Sequence, residues 1–199
     1  MAANPSESQR MTEAEYLAFE RANPIRHEYL AGEVFAMSGA SRAHNLISGN
    51  LVVALKTQLR GRDCELYAAD MRVKIAPLHR CTYPDLSIVC DALRFADEAL
   101  DTLLNPTLII EILSPSTEAY DRGREFHAYQ HIDSLREYLL VAQDGPHIER
   151  YLRREGGIWE YTSADGLHVR LTLDSVGCTL VLADVYEQVN FEEIGRAHV

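Results

Sequence analysis

Tyr83-Pro84-Asp85-Leu86-Ser87-Ile88-Val89 and Thr107-Leu108-Ile109-Ile110-Glu111-Ile112-Leu113 are two apolar runs that each carry one carboxylate. Their Leu, Ile and Val content predicts buried strands, and a charge in such a run opposes burial unless it is paired or holds a metal. Asp85 and Glu111 are therefore the first candidates for chemistry.

Working outward, strands are expected at residues 64–69 and 72–75 before the first run, with an acidic connection over 91–105 between the two. Ser114-Pro115-Ser116-Thr117 ends the second run and can cap a helix from Glu118 to about His131. A strand over 137–142 then leads to a meander, 148–152 and 158–161, turning at Gly156-Gly157. On the N-terminal side, Thr12 and Glu15 form a capping box ahead of a short helix. Runs 25–30 and 33–37 flank Ala31-Gly32 as a hairpin, and Ser41 can cap a long helix to about Arg60. The order predicts a mixed α/β domain whose central sheet is covered by helices.

At 199 residues and 47% hydrophobic the chain suits one domain with a full core. Residues 1–10 read as a disordered arm, 11–191 as the domain and 192–199 as a tail. The end of that tail, Glu193 to Val199, can with one codon choice spell a sequencing-adapter read-through and is set aside as a scar. No run of about 18 apolar residues is present to span a membrane, and the polar start lacks a signal-peptide core. Cys64, Cys81, Cys90 and Cys178 are scattered without a CxxC pair, which favours structural thiols over disulfides or zinc and, with the polar start, a cytoplasmic address. A net charge of −11 argues against indiscriminate nucleic-acid binding, so any contact with DNA is expected to be weak and local, through arginines such as Arg72, Arg122 and Arg124. Lysine occurs only at Lys56 and Lys74.

If the two runs are neighbouring strands, Asp85 and Glu111 can converge and hold Mg²⁺, which takes one or two carboxylates with water completing an octahedron. Such an ion can activate water and neutralise a phosphate oxygen. The bland alternative has Asp85 capping a turn and Glu111 paired with a core arginine, Arg72 or Arg136. Glu28 is open between a third acid of the site and a solvated strand charge. His44, in the first turn of the long helix, is open between an orienting residue and a structural hydrogen bonder. His127 and His131, four apart, read as a polar helical flank. GxxxxGK, GxGxxG, HExxH and GxSxG motifs are absent.

Arg26 to Val34, His44, Tyr83-Pro84-Asp85, Glu111 to Thr117, Tyr120-Asp121-Arg122-Gly123 and Ser134 to Tyr138 together resemble the Uma-two family of putative restriction endonucleases, in order and over about residues 11–191. The resemblance implies a PD-(D/E)XK nuclease core of helix, three strands, helix and strand, here with an N-terminal hairpin and a C-terminal β extension. It also implies Mg²⁺ as cofactor, with Mn²⁺ able to substitute. Asp85 and Glu111 would be its metal-binding acids and the Ile112 carbonyl a further ligand. The superfamily lysine two residues after the acid is Leu113 here. Uma-like proteins typically carry a lysine on the next helix instead, in a stretch like Asp-Arg-Gly-x-Lys-Phe. This chain reads Asp121-Arg122-Gly123-Arg124-Glu125-Phe126, placing Glu125 there.

Glu125, Tyr129 and Ile132 share a helical face expected to pack on the sheet. Lys74 or Arg124 would then supply the missing charge, and Glu125→Lys is expected to raise cleavage. The leading expectation is a Mg²⁺-dependent DNA endonuclease, dimeric so that two sites address two strands. Its rivals are an inactive relative serving nucleic-acid binding or oligomerisation, and a hydrolase of other phosphodiesters.

Overall fold

The structure is a computed structural model that describes residues 10–37, 39–114 and 117–191. The expected arm, apart from Arg10, and the tail at 192–199 lie outside the described residues. The Thr12–Glu15 box opens helix α1 (Glu13–Ala22), with Glu15 Oε2 accepting from the Thr12 N–H at 2.7 Å and Thr12 Oγ1 from the Glu15 N–H at 3.3 Å. α1 stacks Tyr16 on Tyr29 of the hairpin β1 (His27–Leu30) and β2 (Glu33–Ala36), ring centroids 4.9 Å apart. Ala31 and Gly32 both take positive φ, +47° and +102°, which matches a two-residue turn to the twist of the strands. Ser41 accepts from the His44 N–H at 3.0 Å and starts α2 (Arg42–Leu59).

Two sheets organise the rest. The five-stranded sheet runs β2-β1-β5-β4-β7, adding β4 (Arg72–Ile75), β5 (Arg80–Thr82) and β7 (Thr102–Leu103) to the hairpin. β7 falls inside the stretch expected to be a plain connection; two residues are too few to show a period, and pairing parallel to β4 makes them a strand. The six-stranded sheet runs β11-β10-β9-β8-β6-β3, from β3 (Glu65–Ala68), β6 (Leu86–Val89), β8 (Leu108–Ile112), β9 (Glu137–Val141), β10 (His147–Arg153) and β11 (Trp159–Asp165). β8 and β9 are parallel, and the remaining pairs of this sheet are antiparallel.

Both faces of the six-stranded sheet are covered, which is why its central strands read as continuous apolar runs. Leu86, Ile88, Ile110 and Ile112 pack with Ile47, Leu51 and Leu55 of α2. On this side also lie a late hairpin, β12 (Arg170–Leu173) and β13 (Cys178–Val181), and α5 (Leu182–Val185), which extend the C-terminal β region beyond the expected meander. On the other face Val89, Ile109, Leu113, Tyr138 and Leu140 meet Phe126, Tyr129 and the inner residues Val73 and Ile75 of the five-stranded sheet. The expected helix after β8 is present as α3 (Glu118–Tyr120), a π-helical turn (Asp121–Glu125) and α4 (Phe126–Tyr129). No helix among the described residues is long and apolar enough to cross a membrane.

The cysteines require a correction. Antiparallel pairing of β3 with β6 sets Glu65 opposite Val89, so the next pair outward is Cys64 and Cys90, and these are joined as a disulfide with Cα atoms 4.1 Å apart. A separation of 26 residues concealed this neighbourhood, because only the strand register creates it. Cys81 and Cys178 are buried free thiols, as expected. The argument for a reducing address loses that much of its basis.

Candidate active site

Tyr83-Pro84-Asp85 carries the chain from β5 of one sheet to β6 of the other, and Asp85 is the last residue before β6. Leu86 is opposite Ile110, so Asp85 stands opposite Glu111 and the two side chains meet. Each carboxylate accepts a backbone N–H from the other's strand: Ile112 N donates to Asp85 Oδ2 at 2.7 Å, and Asp85 N to Glu111 Oε2 at 3.2 Å. The remaining oxygens are held by side chains. His44 Nε2, from the first turn of α2, lies 2.9 Å from Asp85 Oδ1, and the Tyr129 hydroxyl donates to Glu111 Oε1 at 2.7 Å. Asp85 keeps 18% of its side-chain surface exposed, so the pair is reachable from solvent. Neither turn-capping by Asp85 nor an ion pair of Glu111 with Arg72 or Arg136 describes this arrangement.

The electrostatics are those of a negative hollow. Desolvation first, then the neighbouring charges of Asp85, Asp121 and Glu125, push the Glu111 carboxyl well above the ordinary range, against the Tyr129 hydrogen bond that lowers it. Asp121, 8% exposed, is pushed up to about 7 by burial, then by Glu125, Asp85 and Glu28, with a Thr117 hydrogen bond opposing. Burial and the Glu125 charge likewise raise Glu28.

Glu28 and Glu125 form a second pair beside the first. Thr82 Oγ1 donates to Glu28 and lies 3.2 Å from Glu125 Oε1, and Arg80 makes a buried ion pair with Glu125. Arg80 also reaches Glu28 Oε2 at 3.9 Å and donates to the Tyr120 hydroxyl at 2.7 Å. The helical face expected to pack on the sheet does so: Glu125 is 2%, Tyr129 0% and Ile132 4% exposed. The π-helical turn contributes here, because its wider winding starts at Asp121 and ends at Glu125, both buried.

Strand alternation decides which basic residues arrive. Arg80 pairs with Ile75 and Thr82 with Val73, so these four share the inner face of the five-stranded sheet; Lys74 and Arg72 point to the other. Lys74 is accordingly ion-paired with Glu13 of α1 and is not brought to the site. Arg72 is equally unavailable for DNA: it is 3% exposed, lies between the Tyr16 and Tyr83 rings at 5.6 and 5.7 Å, and meets Asp101 at 3.2 Å. Arg122 is tied to Glu118 and Glu149, whereas Arg124 lies exposed on the outer side of the helix. The structure thus gathers Asp85, Glu111, Glu28, His44 and the Ile112 backbone, and leaves Lys74 and Arg72 out.

Among the described residues no three or more His, Cys, Asp and Glu side chains form a metal cage. Asp85 and Glu111 instead present two carboxylates side by side with a way to solvent, the donor set that suits a partly hydrated Mg²⁺ or Mn²⁺. The fit is also electrostatic: like charges are held together in a desolvated place and the guanidinium nearby is already engaged by Glu125. In an extended strand the N–H and C=O of one residue face the same neighbour, so the Ile112 carbonyl is turned to the Asp85 side, as a third oxygen donor would be.

Residues 13–183 match the model of the Uma2 family, described as "Putative restriction endonuclease". The chain belongs to the Uma2 family. Relatives include the uncharacterized protein slr1290 of Synechocystis sp., 35% identical over 185 residues that cover 92% of this chain and 94% of that one. The uncharacterized protein sll1609 of the same organism is 33% identical over 156 residues, 78% of this chain and 88% of that one. Among solved structures, a protein from Anabaena variabilis described as "a putative nuclease belonging to DUF820" superposes with a TM-score of 0.70 at 18% identity, covering 90% of this chain and 99% of that one. At that identity the likeness establishes the fold.

For this Uma2 member the residues that sequence reasoning missed are Arg80, Asp121, Tyr129 and Thr82. Asp121 and Tyr129 stood in view on the helix, four residues to either side of Glu125, and that spacing was a usable signal. Arg80 and Thr82 carried none, because nothing in Arg80-Cys81-Thr82 tells which face of its sheet meets the helix.

Proposed function

We propose that the chain is a divalent-metal-dependent endonuclease that hydrolyses phosphodiester bonds of DNA. The observation carrying this reading is the convergence of Asp85 and Glu111 at the junction of the two sheets, each carboxylate anchored by the other's strand. Asp85, Glu111 and the Ile112 carbonyl would hold the ion. A bound Mg²⁺ supplies Lewis acidity to a phosphate oxygen and lowers the pKa of water.

The protein's own groups do the rest. His44 fixes the Asp85 carboxylate by its Oδ1, and Tyr129 fixes Glu111 by its Oε1, so neither acid has to reorganise when substrate arrives. Burial and the charges of Glu125, Asp85 and Glu28 push the Asp121 carboxyl up to about 7, so this acid shares the crowding of negative charge that a cation would relieve. In the balanced reaction, water oxygen bonds to phosphorus, one P–O ester bond breaks, and the water protons end on the leaving oxygen and the medium. Exposed Arg124 supports the local DNA contact, Mn²⁺ would be able to replace Mg²⁺, and a dimer would set one site against each strand of the duplex.

Calorimetry with Mn²⁺ and plasmid nicking with Mg²⁺ test it together. Wild type should bind the ion and nick, and the Asp85→Ala, Glu111→Ala double variant should do neither. Equal Mn²⁺ affinity in the two proteins refutes the metal site. An inactive relative is favoured if metal binds but neither plasmid nor duplex oligonucleotide is cut; the specific observation behind that second reading is Glu125, which ties up the guanidinium at the site. Hydrolysis of small diesters without DNA cleavage would point to another phosphodiester.

A further inference from the structure

Four acids of the site form two pairs that differ in one respect. Asp85 and Glu111 are clamped together by neutral donors and His44. Glu28 and Glu125, joined through Thr82 Oγ1, have a permanent cation between them, the Arg80 guanidinium. That guanidinium is 4% exposed, lies 5.5 Å from the Tyr120 ring centre and donates to the Tyr120 hydroxyl. Such a clamp gives the guanidinium one position.

Resting on the proposed metal site, we propose that Arg80 stands in for a second cation: the chain takes one divalent ion, at Asp85 and Glu111, and Arg80 is the fixed positive charge that fills the second acid pair beside the phosphodiester. The chemistry favours this division. Two charges flanking a phosphate stabilise it better than one, whether both are metals or one is a guanidinium whose planar fork matches phosphate oxygens. A second divalent ion at Glu28 and Glu125 would have to displace a guanidinium already engaged by both carboxylates. Glu28, Glu125 and Thr82 are positioning residues, because they act through Arg80, whose charge would act on the phosphate from just below the surface. Its neighbour Tyr120 is 36% exposed, so the guanidinium lies one side chain below the surface.

Stoichiometry and phosphate affinity test this without relying on turnover. Calorimetric titration with Mn²⁺ should give one site per wild-type chain and two for Arg80→Met, which leaves Glu28 and Glu125 free to take an ion. Arg80→Gln/Glu125→Gln removes both charges at once and keeps hydrogen-bonding groups, so it serves where the single variant does not fold. It should retain one Mn²⁺ and its melting temperature, yet bind dimethyl phosphate about tenfold more weakly, read from the ³¹P line broadening caused by bound Mn²⁺. Two Mn²⁺ per wild-type chain, or dimethyl phosphate binding equal in wild type and the double variant, overturns the role of Arg80 while leaving the metal site standing. No Mn²⁺ in wild type overturns the metal site and this inference with it.

Discussion

Replacing Glu125 by lysine tests what the tertiary structure changes. With the sequence alone, Glu125→Lys restores a helix-borne cation and should raise cleavage. In the structure the residue is 2% exposed and holds the Arg80 guanidinium, so the exchange removes a buried counter-charge and sets an ammonium against a guanidinium. Breaking a buried ion pair by removing one partner costs about 3–5 kcal/mol, because the other charge remains desolvated and unpaired. For a chain of this size each kcal/mol shifts the melting temperature by about 2–4 °C, giving a fall of about 6–20 °C. The swapped double variant Arg80→Glu/Glu125→Lys restores a pair at the same place and should recover about half of the loss or more. Thermal melts of wild type, single and double variants, followed by circular dichroism, read this directly. A single variant that melts within about 2 °C of wild type, or nicks plasmid faster, would show that the Arg80–Glu125 pair is not a buried structural charge pair and that the expectation from sequence was right.

Stability without metal should fall as pH rises from about 4 to about 7 through the contribution of Asp121. Its folded-state pKa lies above its ordinary value of 3.8, at about 7, so the contribution is present in full below 3.8 and lost as pH rises through about 7. The ceiling is about 4 kcal/mol, reduced to about 1–3 kcal/mol by shared charge in the cluster and residual solvation. Asp121→Asn should therefore melt higher than wild type at pH 8 and close to it at pH 4, with Mg²⁺ narrowing the gap; a gap that grows toward acid contradicts the assignment. Reducing the Cys64–Cys90 disulfide opens a loop of separation 26 and should cost about 3.5 kcal/mol. A melting temperature unchanged by dithiothreitol, with both thiols titrating as free, would count against it.

Local rules carried far in this chain. The helix caps and hairpin turn were legible because each is decided by residues no more than three apart, as at Thr12–Glu15, Ser41–His44 and Ala31-Gly32. Asp85 and Glu111 announced themselves because charge in an apolar run is costly wherever the chain goes. The helix face of Glu125, Tyr129 and Ile132 followed from its period. Only the tertiary structure decided what these residues meet. Register joined Cys64 to Cys90. Strand alternation sent Lys74 to Glu13 and brought Arg80 to Glu125, although one residue of slip would have exchanged their faces. Sequence sets the local geometry and the cost of burying each group; which charge is cancelled depends on strand pairings between residues far apart in the chain, and those exist only once the two sheets are packed together.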